Sequence, residues 1–187
     1  MRRFSLLALP LLVLTAPSAM AGHTLSLLAM ADMPLGSSAA GDSRYAGAVA
    51  RTVRAVIEYT RWPSPIDPVV LCIAGPAQHA AQLASLRLSD GRRVERRNVA
   101  ASGAGIGGCH VLYLGQMPVG QQRALTGAVR GRGVLTIAEA DPGNTSEAMF
   151  TLTYKPDSLS FRLNIDAVSR SGLKVDPRVL RVAQGGL

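Results

Sequence analysis

The chain has 187 residues and a formal charge of +8, from 20 Lys+Arg against 12 Asp+Glu. At 48 % hydrophobic and 17 % charged it is too apolar to be disordered throughout. One domain fits this length, with a core large enough to need no metal or disulfide lattice.

Those totals change once the first stretch is set aside. Arg2 and Arg3 precede the apolar run Phe4 to Leu14, and Ala19-Met20-Ala21 forms a small-residue cleavage site. Residues 1–21 therefore read as an export signal. Ala29-Met30-Ala31 is a second candidate site, which leaves the cut at Ala21 or Ala31. Cutting at Ala21 removes two arginines and leaves 166 residues at +6. No later apolar run is long enough to span a bilayer. The expected location is outside the cytoplasm.

Cys72 and Cys109 are the two cysteines. An even count in an exported chain favours a disulfide, against the alternative of two buried free thiols.

Residues 22–43 hold a Gly/Ser/Ala stretch without periodicity and read as a disordered lead-in, followed by a folded domain over 44–187. Asp42 or Ser43 can cap a helix from about Arg44 to Tyr59. Its apolar stripe is Ala46, Val49, Val53, Val56 and Ile57, with Arg44, Arg51 and Arg54 off it. Pro63 ends any helix by Arg61 or Trp62. The apolar run 69–74 reads as a strand covered on both faces. A short helix is expected over 77–86, with Ala80, Leu83 and Ala84 inward. Segment 92–99 is so rich in arginine that it belongs at a sheet edge.

A glycine-rich loop over 103–108 precedes a second buried strand, 109–114. A helix over 118–129 follows, with Leu125 and Val129 inward, then a third buried strand over 134–137. Segments 148–154 and 158–163 read as a hairpin, with Lys155-Pro156-Asp157 as its turn. Asn164 or Asp166 caps a short helix ending near Gly172, and Pro177 starts a last one to about Ala183. The predicted fold is an α/β single domain: a mixed sheet of about six strands with helices on its faces.

Chemistry-bearing motifs are sparse. Gly103 to Gly108 matches G-x-G-x-x-G, but these glycines precede a strand instead of opening a helix, so no dinucleotide site is expected. The three histidines lack metal-ligand spacing, and no nucleophile elbow or paired carboxylates appear. No enzyme, cofactor or metal is expected. Arg92, Arg93, Arg96 and Arg97 form the densest basic cluster, without the aromatics that nucleic-acid surfaces interleave. A solvated edge strand fits them better than nucleic acid, and an acidic partner or an anionic membrane is the other use.

Glu58-Tyr59-Thr60-Arg61-Trp62-Pro63 stands out. The only tryptophan sits beside an arginine and before a proline. Tyr59 and Trp62 can cover the core edge, or the group can form a rigid aromatic-plus-arginine contact surface of the kind favoured at binding hot spots.

Five ordered blocks then resemble one family. They are Tyr59 to Pro63 with Leu71 to Gly75, Cys109 to Gly115, Val134 to Glu139, Phe161 to Asp166, and Ser171 to Val175. Together they resemble the YfiR family of periplasmic proteins, from about Tyr45 to Ala183. The resemblance implies an α/β periplasmic domain that dimerises and represses an inner-membrane diguanylate cyclase of YfiN type. An outer-membrane lipoprotein of YfiB type would sequester it and release the cyclase. The output would be lower cyclic di-GMP and less biofilm. The family's central disulfide maps onto Cys72 and Cys109. A second cysteine pair found in some members is missing here, where Asp141 to Thr145 stands. The expected contact residues are Tyr59, Arg61, Trp62, Glu139, Asn164 and Arg178. The competing function is a periplasmic small-ligand binder in which Arg61 grips an anionic group.

Overall fold

A computed structural model describes residues 38–184, which lie in one unit. The expected export signal and most of the lead-in fall outside the described residues.

Helix α1 spans Ser38–Glu58. It begins six residues before the expected Arg44: Ala39 and Ala40 are strong helix formers, and the helix runs on through Gly41. All five stripe residues are buried, and Arg44, Arg51 and Arg54 are exposed. The helix stops one residue early, at Glu58. The Thr60 hydroxyl donates to the Val56 carbonyl at 2.7 Å, and the chain leaves as a short strand, β1 (Thr60–Arg61).

The remaining strands are β2 (Val69–Ala74), β3 (Val94–Val99), β4 (Val111–Leu114), β5 (Leu135–Ala138), β6 (Phe150–Lys155), β7 (Ser158–Leu163) and β8 (Lys174–Val175). Six of them form the main sheet in the order β3-β2-β4-β5-β6-β7. Every neighbouring pair is parallel except the β6–β7 hairpin. Strands β1 and β8 form a separate antiparallel ribbon. Two-residue strands have no periodicity to read, so this ribbon was invisible to pattern.

Strand alternation sorts the core into two layers. Val69, Leu71, Ile73, Val111, Tyr113, Leu135 and Ile137 face α1. Val70, Cys72, Ala74, Leu112 and Leu114 face the second helix, α2 (Val119–Val129), with Leu125 and Val129. Both faces of the central strands are thus dry, which is why their sequences run apolar without alternating. β3 lies at the edge, with residues 95–98 all exposed.

The expected helix over 77–86 is instead one 3-10 turn, Ala81–Ser85. Its buried residues Ala80, Leu83 and Leu86 recur every three positions, the 3-10 period, so Ala84 faces out and not in. The third helix, α3 (Ile165–Ser169), is capped by Asn164, whose Oδ1 accepts the Ala167 N–H at 2.9 Å. The last segment, Pro177–Gln184, is also 3-10. No helix among the described residues is long and apolar enough to cross a membrane.

Candidate functional site

The expected contact residues divide into a surface group and an interior group. The surface group is built on the β1–β8 ribbon, where Thr60 pairs with Val175 and Arg61 with Lys174. The Asp176 N–H donates to the Tyr59 carbonyl at 2.9 Å and extends the pairing. Asp176 then precedes Pro177, and its carboxylate accepts from the Arg178 backbone N–H at 2.9 Å. It also accepts from Arg178 Nε and, at 2.7 Å, from Nη2. These bonds from Arg178, with the nearby Arg61 charge, hold the Asp176 carboxyl down at about 2. The same bonds fix the Arg178 guanidinium 5.8 Å from the centre of the Tyr59 ring, within cation–π range.

The ribbon thus gathers Tyr59, Arg61 and Arg178 around one acidic residue. Asp176 was not among the expected residues. Its signal was present as Asp-Pro-Arg, an acidic cap before a proline at the first helical position. A guanidinium held in place by a carboxylate loses less side-chain freedom on binding than a free one.

Trp62 follows directly. It is half-buried against the α1-side core and lines a surface groove with Pro63, His110 and the glycine-rich turn Gly131 to Gly133. Its indole N–H is enclosed and unpartnered among the described residues. His110, across the groove, accepts the Val70 N–H on Nδ1 at 3.0 Å. Burial, then the Arg97 charge, hold its pKa below the ordinary 6.5. The unfolded chain therefore takes up a proton at a higher pH than the folded one, so stability falls as the pH drops through about 6.5. His110→Asn keeps an acceptor in the Nδ1 position and removes the titration. Its melting temperature is expected to fall less than the wild type's between pH 7.5 and 5. Parallel curves would contradict this role.

The interior group corrects one expectation. Glu139 does not present a contact surface, because it is completely buried at the C-terminal end of β5. Its carboxylate accepts the Gln78 N–H at 2.8 Å, the His79 N–H at 2.7 Å and the Tyr113 hydroxyl at 3.0 Å. A buried carboxylate needs this many donors to be tolerated. Burial, reinforced by Tyr154 and Glu139, pushes the Tyr113 phenol well above its usual range, so it stays a donor. The His79 ring lies against Tyr45 of α1 and Tyr154 of β6, with centroids 5.2 Å and 4.8 Å away. Glu139 thus ties the loop after β2 to the ends of β4 and β5, and the His79 ring sets that loop against α1 and the hairpin. Asn164 is half-buried, and its side-chain oxygen is committed to the α3 cap.

Cys72 and Cys109 are joined as a disulfide, with Cα atoms 5.8 Å apart. Cys72 lies in β2, and Cys109 stands two residues before β4 and is 4 % exposed, so the bridge pins adjacent central strands in the α2-side core.

In open α/β sheets, ligands bind beyond the strand C-termini where the strand order reverses. Here that point lies between β2 and β4, and the chain itself fills it. A Cβ on Gly115 would sit 2.1 Å from the Pro76 carbonyl oxygen. The Gln116 N–H donates to that oxygen at 2.6 Å, and its side chain bonds Gln78.

No group of His, Cys, Asp and Glu side chains among the described residues is placed to hold a metal ion. Residues 47–184 match the YfiR/HmsC-like family, whose members are periplasmic regulators of diguanylate cyclase signalling. The match takes in most of α1, both sheets, the disulfide and the Tyr59–Arg61–Arg178 group. On that coverage, the chain belongs to the YfiR/HmsC-like family.

Proposed function

We propose that this protein, exported by cleavage of residues 1–21, binds the sensor part of an inner-membrane diguanylate cyclase and holds it inactive. Lower cyclic di-GMP and less biofilm follow. The observation that carries this reading is the family match across residues 47–184. The surface we assign to the contact is Tyr59, Arg61, Trp62 and Arg178, with Asp176 as the residue that positions Arg178. Its aromatic and arginine composition suits a hot spot. Inhibition requires tighter binding to the inactive state of the sensor than to the active one. A homodimer, and release by an outer-membrane lipoprotein of YfiB type, complete the proposal on the strength of the resemblance. The filled crevice between β2 and β4 lends no support to the small-ligand reading.

Titration against the purified periplasmic part of the cyclase tests the contact. Arg61→Ala and Trp62→Ala are each expected to weaken binding by roughly 30-fold, the size of a hot-spot residue. Asp176→Ala, which frees Arg178, is expected to cost several-fold. Unchanged affinity in the Arg61 and Trp62 variants sinks the assignment.

A further inference from the structure

The exposed arginines of α1 and of the β3 edge meet in one place. Two adjoining notches share Arg87. The first is also lined by Arg51 and Arg54 of α1, and the second by Arg92 and Arg93. An antiparallel bridge between Arg87 and Arg93 closes a hairpin around Asp90-Gly91 and brings the two sets together. Arg96 continues the row along the open edge.

The carboxylates in ion pairs here are Glu58, Asp90 and Glu95, which go to Arg54, Arg92 and Arg97. The guanidinium groups of Arg51, Arg87, Arg93 and Arg96 are in no ion pair among the described residues, although the Arg93 backbone N–H donates to the Asp67 carboxylate at 3.4 Å. The chain carries 18 arginines and two lysines. Arginine presents a planar fork that binds phosphate in two places at once.

We infer that this face docks on an anionic phospholipid bilayer. Charge complementarity and the absence of an apolar centre both favour lipid over a protein partner. Leu86 and Leu88 beneath the notches are buried, and the exposed large apolar residues, Val119, Ile165 and Leu180, lie on other elements. Arginine is common at protein interfaces, but there it surrounds an apolar, aromatic centre, which this face lacks. A face with arginines in excess of its carboxylates matches a plane of phosphodiesters, whose attraction accumulates residue by residue. The inference goes beyond the cyclase reading and does not depend on it.

The test uses vesicles without protein, so failure of the cyclase reading leaves its outcome untouched. The protein is co-sedimented with phosphatidylglycerol–phosphatidylcholine vesicles and with pure phosphatidylcholine vesicles at low and moderate salt. Binding is expected with the anionic vesicles alone and weakens with salt. Arg51→Ser/Arg87→Ser/Arg93→Ser, all solvent-exposed, is expected to lose on the order of 100-fold, about 5-fold per arginine. Arg123→Ser/Arg132→Ser/Arg170→Ser, with the same charge change elsewhere, is expected to keep most of the binding. Equal losses in the two triple variants would reduce the effect to net charge and overturn the inference. So would no binding to anionic vesicles. So would capture of poly-glutamate by the wild type but not by the first variant in the absence of vesicle binding, which would assign the face to an acidic polypeptide.

Discussion

Cys72→Ala/Cys109→Ala is expected to lower the unfolding free energy by about 4 kcal/mol, and the melting temperature by roughly 8–16 °C. The magnitude follows from the loop the bridge closes, with a sequence separation of 37. An open chain of that length recovers freedom in the unfolded state that the crosslinked chain never had. Little native strain opposes the gain, since the bridge joins two strands already paired in register over Leu71–Val111 and Cys72–Leu112. Both sulfurs lie in the α2-side core, so the alanine pair also loses some packing. Chemical denaturation of the oxidised wild type against the double variant measures the difference. A change below about 1 kcal/mol would mean that the unfolded chain is compact enough to hold these strands together unaided.

The second large effect is expected at Glu139. Glu139→Ala removes the acceptor for two backbone N–H groups and the Tyr113 hydroxyl, all close to a carboxylate that is completely buried. Each donor left dry costs about 1–3 kcal/mol, so a loss of about 4 kcal/mol is expected. Glu139→Gln keeps one acceptor oxygen but turns an amide N–H₂ toward a donor, and about half that loss is expected. Tyr113→Phe leaves the carboxylate with its two N–H donors and is expected to cost about 1 kcal/mol. Urea unfolding of the three variants gives the order. If the alanine variant is no worse than Tyr113→Phe, the carboxylate is not what holds the loop after β2. Partner binding in Glu139→Gln, measured where the variant is folded, separates this internal role from a contact role.

How far the fold could be read in advance depended on pattern length. The strands around Leu71, Leu112 and Ile137 are buried on both faces, and a continuous apolar run announces that. The edge position of Val94 to Val99 was legible because four exposed charged or polar residues in a row suit nothing else. The ribbon of Thr60–Arg61 with Lys174–Val175 was not, since two residues carry no period and the partners are more than a hundred residues apart. The 3-10 turn at Ala81 was misread because spacings of three and of three-to-four look alike over one turn.

The candidate site shows the same division. Tyr59, Arg61 and Trp62 were conspicuous as a rare composition before a proline, which is a local signal. Arg178 meets Tyr59 only through the ribbon, and Asp176 gains its place only once that ribbon exists. Glu139 was expected as a contact residue, and the structure buries it completely. A carboxylate after the apolar strand Leu135–Ala138 looks like an exposed strand end. It is buried because the loop Gly75 to His79 folds over it and supplies its donors.

The regulation we propose acts on a membrane cyclase through the Tyr59–Arg61–Arg178 surface. The most direct measurement is cyclic di-GMP synthesis by the purified cyclase, reconstituted in vesicles of uncharged lipid so that the arginine face does not contribute. Addition of the protein is predicted to lower the rate, and Arg61→Ala/Arg178→Ala at the same concentration is predicted to leave it near the uninhibited value. Equal inhibition by both proteins, or inhibition by neither, would contradict regulation through this surface.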